Sequence, residues 1–307
     1  MMLDAVSREK LQELVAGEAF FDEPLSRHTS FGVGGAADAI VFPHGQEELK
    51  NTIAWLIRAK LPFKPLGNGT NVIVRDGGYR GIIVCLKKLS GMGMEEAGGG
   101  IAIHAEAGVA LAEVVGCSMR AGMAGMEFCA GVPGSVGGAI RMNAGAYGRE
   151  IKDVTETVTL LTKTGAVLKL NRGELSFCYR NLTLPSDCII VAADFSLVRG
   201  DCEEIRQKVS AILARRREKH PLQYRNAGSI FKNPGKLPAG RIIEEMGLKG
   251  LTVGEASISE QHGNFIVNLG QAKAADVLAL IDRVIRQVHQ ERGIILETEV
   301  HIIGEDT

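Results

Sequence analysis

Residues 131–148, GVPGSVGGAIRMNAGAYG, constrain the fold more than any other stretch of this chain. Glycine occupies positions 131, 134, 137, 138, 145 and 148. It accepts positive φ and carries no Cβ to hold a ligand away from the backbone. A run this dense, with Ser135, Asn143 and Tyr147 as its uncharged polar side chains, suits a peptide wall against a flat or phosphorylated ligand. A second such loop, LGNGTN at 66–71, lies upstream between two apolar runs. Two cradles in one chain predict a large cofactor containing a pyrophosphate.

The order of elements around the first cradle matters. Phe63 to Leu66 reads as a strand, GNGTN as a loop, and Val72 to Arg75 as another strand. A Rossmann phosphate loop instead runs from strand into helix. Here a nest of backbone amides, helped by Thr70 and the two asparagines, has to hold the phosphates. GVGGAA at 32–37 follows no strand and opens no helix, so it is not a dinucleotide fingerprint.

At 307 residues the chain is long enough for two or three domains. Glycine is abundant at 38 residues while proline stays at 9, so the bias is not low complexity. The formal net charge of −1, with Lys and Arg scattered apart from the basic cluster at Arg215-Arg216-Arg217, argues against a basic face and so against nucleic acid as partner. The longest uncharged stretch, 128–140, is too short to span a bilayer. Charges throughout MMLDAVSREKLQELVAG argue against a secretory signal. The six cysteines form no CxxC and read as reduced thiols of a cytoplasmic protein without a metal site.

Along the chain, 3–16 is expected as a helix with Leu3, Val6, Leu11, Leu14 and Val15 facing in. A strand is expected near 38–42 and a helix over 46–59. Asp76-Gly77-Gly78 reads as a hairpin turn into a strand at 82–86. Loose residues 87–100 mark a boundary, followed by a strand at 101–105 and a helix at 109–120. Strands at 153–161 and 165–170 flank the turn Lys163-Thr164-Gly165. A loop carries Tyr179-Arg180-Asn181, and an apolar strand runs from Cys188 to Leu197. Asp201 caps a helix whose core stripe is Ile205, Val209, Ile212 and Leu213. A helix at 238–246, a strand at 264–268 and a helix at 273–292 stopped by Gly293 follow. The last strand, IILETEVHII, puts Glu297 and Glu299 on one face.

LGNGTNVIVRDGGYRG at 66–81, the central cradle, YRNAGSIFKNP at 224–234 and LETEV at 296–300 together resemble the UDP-N-acetylenolpyruvoylglucosamine reductase family. The similarity runs from His28-Thr29-Ser30-Phe31-Gly32 to Val300. It matches the shorter form of the family, because no tyrosine-bearing loop separates Leu197 from Asp201. The resemblance implies an α+β fold: a two-lobed FAD-binding region of the VAO/PCMH (vanillyl-alcohol-oxidase) type plus a smaller α+β substrate-binding domain. The lobes are expected at 1–86 and 87–215, the latter joined by the C-terminal strand 294–307, with the substrate domain at 216–293.

It implies, further, noncovalent FAD, with NADPH as hydride donor and a UDP-sugar as substrate, in a cytoplasmic monomer that serves peptidoglycan synthesis without membrane insertion. Gly67, Asn68, Gly69, Thr70, Asn71, Pro133, Gly134, Ser135, Val136, Gly138, Ala139, Asn143, Ala144 and Gly145 would line the cofactor. Arg180 would hold the substrate carboxylate as charge develops on it, its planar fork suiting a carboxylate. Ser229 would supply a proton, a weak acid that needs help such as Lys219 or the basic cluster beside it. Spacing leaves Glu297 and Glu299 open, while the motif favours Glu299 as the third catalytic residue. Tyr179, Lys219, Asn233 and His262 would contact the sugar nucleotide. Another oxidase or dehydrogenase of the same fold, or a flavin-bearing electron-transfer module, would share the cradles but has no need of YRNAGSIFKNP and LETEV together.

Overall fold

The computed structural model describes residues 3–97, 100–185 and 188–306. Among them lie seven α-helices: α1 (Ala5–Leu14), α2 (Gln46–Arg58), α3 (Leu111–Arg120), α4 (Val136–Arg141), α5 (Cys202–Lys219), α6 (Ala239–Glu245) and α7 (Ala274–Arg292). None is long and apolar enough to cross a membrane. The chain divides into two compact units. One holds residues up to Phe21, Ala39–Asn68 and Gly81–Arg215; the other holds Asp22–Asp38, Gly69–Arg80 and Arg216 onward.

The first unit is built on an antiparallel sheet in the order Val167–Asn171, Thr155–Thr162, Cys188–Arg199, Gly100–Glu106, Met92–Ala97, with Met123–Ala124 paired to the end of Cys188–Arg199. The central strand carries a run of buried apolar residues and so can pack on both faces. Its core includes Ile103, Val114, Ile140, Val158, Leu160 and Phe195. The hairpin around Lys163-Thr164-Gly165 forms as expected. Asp201 caps α5 by accepting the Glu203 and Glu204 N–H groups, each at 2.9 Å. Phe63–Leu66 pairs in parallel with Ile82–Cys85. Two expectations fail here. Residues 92–97, read as loose, form an edge strand (Gly98 and Gly99 lie outside the described residues). Val6, placed on the inner face of α1, is 74% exposed, while Leu3, Leu11 and Val15 are buried.

The second unit has its own core, with Phe31, Ile73, Ile230 and Phe231 against Val277, Ile281, Val284 and Val288 of α7. A four-stranded antiparallel sheet runs Arg225–Asn226, Ile266–Asn268, Ala256–Ile258, Thr252–Val253. Gly293 ends α7 in the left-handed conformation at φ +66°.

Asp76-Gly77-Gly78 is not a hairpin turn. The strand before it, Val72–Val74, pairs in parallel with His301–Ile303, and the Asp76 carboxylate accepts the Ala274 and Ala275 N–H groups at 2.9 Å. Helix first turns leave such amides unpaired, and a carboxylate there also meets the favourable end of the helix dipole. The same pairing places the C-terminal strand with residues 72–74 in the second unit, rather than with 87–215 as expected. Within IILETEVHII only His301–Ile303 is regular strand; upstream of it a single bridge joins Thr298 to Phe231.

Candidate active site

The two glycine loops meet. Gly67, just past the strand Phe63–Leu66, lies so close to Ser135 that a Cβ on Gly67 would collide with Ser135 Oγ. Ser135 is fully buried and caps α4, its Oγ accepting the Gly138 N–H at 3.4 Å. The Val136 and Gly137 N–H groups donate to Val109 and Ala107 carbonyls at 2.9 Å, pinning the turn to the segment before α3. Val136, Gly137, Ala139 and Ile140 are buried, whereas Gly138 is exposed. A Cβ on Gly138 would meet Ser135 Oγ at an ordinary 3.6 Å and nothing nearer. Packing therefore does not demand glycine at 138, and the bare backbone there leaves room for a ligand to approach. Pro133 is exposed, and Asn68, Gly134, Ala144 and Gly145 are half-buried along the same two loops.

Gly69 differs. It belongs to the second unit, sits at φ +65°, and a Cβ there would collide with the His28 carbonyl. Its own carbonyl accepts the Ser30 N–H at 3.1 Å. The HTSFG motif thus backs the first loop, with Thr70 and Asn71 half-buried beside it. His28 Nε2 lies 3.0 Å from Glu23 Oε1.

In the first unit, Tyr179 and Arg180 form the two-residue tip of a hairpin between Ser176–Cys178 and Asn181–Thr183, where a loop was expected. Arg180 is held at φ +56°. A left-handed non-glycine residue costs on the order of 1 kcal/mol and persists only where surroundings enforce it. The Arg180 guanidinium lies over Gly145, whose Cβ position is 3.1 Å from Nη1, and 5.2 Å from the Tyr179 ring centroid. The hairpin, the cradle and the arginine form one packed body.

In the second unit, Ser229 follows Gly228 at φ +75°. The next residues are clamped from both sides. Ile230 N–H donates to the Asn264 carbonyl at 2.9 Å, and Phe231 N–H to Asn264 Oδ1 at 2.9 Å. On the other side Glu299 N–H donates to the Ile230 carbonyl at 2.7 Å, and Lys232 N–H to the Glu297 carbonyl at 2.9 Å. Ser229 and Glu299 are thereby neighbours along one short ladder. The two glutamates differ in setting: Glu297 is exposed and paired with Lys232 Nζ at 3.1 Å, while Glu299 is half-buried. Asn264 was not singled out in the sequence. Its signal was there, an amide opening the apolar run Asn-Phe-Ile-Val-Asn, since a buried amide has to find partners.

Lys219, at the end of α5, is exposed. The Gln261 side-chain amide donates to the Glu218 carbonyl at 2.6 Å, bringing the His262 turn to this end of the helix. His262 packs at 4.8 Å on the Phe265 ring and at 5.4 Å, edge-on, on His220. Its Nδ1 accepts the Asn264 N–H at 3.1 Å, so the neutral ring carries its proton on Nε2. Burial lowers the His262 imidazole below its ordinary range. Burial, then the charge of Arg216 and the neighbouring His262, lower His220 to about 4. His220 too was missed. Asn233 Oδ1 accepts the Ala239 N–H at 2.9 Å at the start of α6.

Comparison with known proteins places this arrangement. Residues 37–171 match the family model described as an FAD binding domain, and residues 220–303 match that of the UDP-N-acetylenolpyruvoylglucosamine reductase C-terminal domain. The chain is 54% identical over 304 residues to the UDP-N-acetylenolpyruvoylglucosamine reductase of Syntrophus aciditrophicus, covering 99% of this chain and 97% of the relative. It is 43% identical to that of Caldanaerobacter subterraneus, covering 97% and 98%. The crystal structure of UDP-N-acetylenolpyruvylglucosamine reductase from Thermus caldophilus superposes with a TM-score of 0.78 at 36% identity, covering 94% of this chain and 98% of that one. The exposed Gly138 and the backbone wall around it fit the FAD such a domain holds. On these grounds the chain belongs to the UDP-N-acetylenolpyruvoylglucosamine reductase family.

Proposed function

We propose that this chain is an FAD-dependent reductase that uses NADPH to convert UDP-N-acetylglucosamine enolpyruvate to UDP-N-acetylmuramate, a precursor of peptidoglycan. The observation that carries the proposal is the joining of a bare glycine wall to an arginine held in strained backbone, with the Arg180 guanidinium over Gly145. Gly67, Asn68, Gly69 and Thr70 on one loop, and Pro133, Gly134, Ser135, Val136, Gly138, Ala139, Ala144 and Gly145 on the other, hold the cofactor noncovalently. FAD held there would supply hydride-transfer chemistry, with NADPH as the source of the hydride, for reduction of the enolpyruvyl double bond.

The remaining chemistry belongs to the chain. Arg180 holds the substrate carboxylate and opposes the negative charge that grows on it, a fixed positive charge needing no reorganisation at the moment of reaction. The Ser229 hydroxyl delivers a proton to the inner carbon of the double bond. Glu299, half-buried one ladder rung away, polarises the same centre. Lys219 and Tyr179 contact the sugar nucleotide, with Asn233 and the Nε2–H of His262. Both substrates being small molecules, the reaction needs no partner chain, and we place the enzyme in the cytoplasm as a monomer.

The test is NADPH oxidation followed with and without the enolpyruvyl sugar. Oxidation that depends on the sugar and forms UDP-N-acetylmuramate without hydrogen peroxide is the expected result. Sugar-independent oxidation with stoichiometric peroxide would instead make the protein an oxidase and overturn the proposal.

A further inference from the structure

Asn143 lies in the second glycine loop yet is completely buried, and its side chain is engaged by protein on every side. The amide Nδ2 donates to the Cys178 carbonyl at 3.0 Å and to Glu150 Oε2 at 3.0 Å, while Oδ1 accepts the Lys152 N–H at 3.3 Å. Cys178 is the residue directly before Tyr179-Arg180. The opposite end of the same tip is held by Arg141 of α4, whose Nη1 donates to Asn181 Oδ1 at 2.9 Å and to the Leu182 carbonyl. The two residues flanking the tip are thus tied to the two ends of one short stretch, 141–143, of the cradle.

That tip needs tying. Arg180 occupies the left-handed region at φ +56°, and Asn143 itself does so at φ +41°. Asparagine tolerates this conformation far better than most residues, which explains its place at 143. For arginine the conformation persists only if surrounding contacts enforce it. A displacement of about 1 Å at a reacting group can cost about 10²-fold in rate.

We infer that Asn143 is a positioning residue for substrate reduction: it fixes the Arg180 guanidinium against the cofactor wall by anchoring the Cys178 carbonyl. The inference rests on the assignment of Arg180 to the substrate carboxylate. It gives the side chain of Asn143 a role separate from cofactor binding.

The experiment uses Asn143→Gly in the full-length FAD-loaded enzyme. Glycine keeps φ +41° accessible and removes only the amide. Stopped-flow absorbance follows the two half-reactions separately, and hydrogen exchange is measured over 176–183 before loading. We expect faster exchange in the hairpin, reduction by NADPH lowered by less than about threefold, and reoxidation by the enolpyruvyl sugar slowed by about 10- to 100-fold. In the double variant with Arg180→Lys, reoxidation should be barely slower than in Arg180→Lys alone, as two residues acting through one group are non-additive.

Several results would overturn the inference. Unchanged hairpin exchange, equal slowing of both half-reactions, or multiplicative effects in the double variant would each do so while leaving Arg180 in its role. If Arg180→Lys by itself reoxidises at the wild-type rate, the Arg180 assignment falls, and this inference with it.

Discussion

The Asn71 side-chain amide donates to the Glu299 carbonyl at 3.0 Å, and the Asn71 carbonyl accepts the His301 N–H at 3.0 Å. The last residue of the first glycine loop therefore fixes the segment, just before the strand His301–Ile303, that carries the proposed third catalytic group. Asn71→Ala removes one hydrogen bond, worth about 1 kcal/mol. We expect substrate-driven reoxidation to slow by roughly 5- to 10-fold, with a smaller effect on reduction by NADPH. Equal effects on the two half-reactions would show that Asn71 serves the cofactor loop alone.

Gly138 and Gly69 predict different outcomes for the same substitution. Gly138→Val should yield a folded protein without yellow colour, because its Cβ position is open to everything except Ser135 Oγ. Gly69→Val should lose fold and flavin together, because the His28 carbonyl fills that space. Far-ultraviolet circular dichroism beside the flavin absorbance separates the two cases. A Gly138→Val protein with full FAD content would remove this residue from the cradle.

Lysine in place of Arg180 retains the charge and loses the fork. The loss of one charge-assisted hydrogen bond, about 1.5–3 kcal/mol, should slow turnover by roughly 10- to 100-fold. FAD content, measured by release on denaturation, should stay at the wild-type level.

Ser229→Ala should leave reduction by NADPH nearly intact and slow reoxidation by about 10²–10⁴-fold, the usual worth of a positioned general acid. Cysteine at 229, a stronger acid of similar size, should retain more activity than alanine. Slowing confined to reduction by NADPH would exclude Ser229 as the proton donor.

His220 gives the second unit a pH dependence. Its folded pKa, about 4, lies below the ordinary 6.5, so the unfolded chain binds the proton more tightly. The stabilisation is therefore complete above pH 6.5 and is lost as pH falls toward 4. Allowing for the partial exposure of the ring, the loss between pH 7 and 5 is on the order of 1 kcal/mol. His220→Phe keeps the ring packing on Phe265 and should flatten the unfolding midpoint over that range. A midpoint that falls as steeply in the variant would assign the dependence to other groups.

What the sequence alone determined rests on signals a few residues long. The hairpin at 163–165, the Asp201 cap, the Gly293 stop and the two glycine loops each follow from local backbone preference and hydrogen bonding, and all formed. The motifs also carried the family. Tertiary structure decided the remainder, because the partners are far apart in the chain and leave no periodicity to read. Asp76 reads locally as the start of a turn, yet caps a helix nearly 200 positions away. Asn71 and Asn143 look like cradle residues, yet their amides reach carbonyls 228 and 35 positions off. Asn264 reads as one end of a strand, yet it clamps the backbone beside Ser229. In each case a buried or half-buried polar group has to find a partner, and only the folded chain determines which one lies within reach.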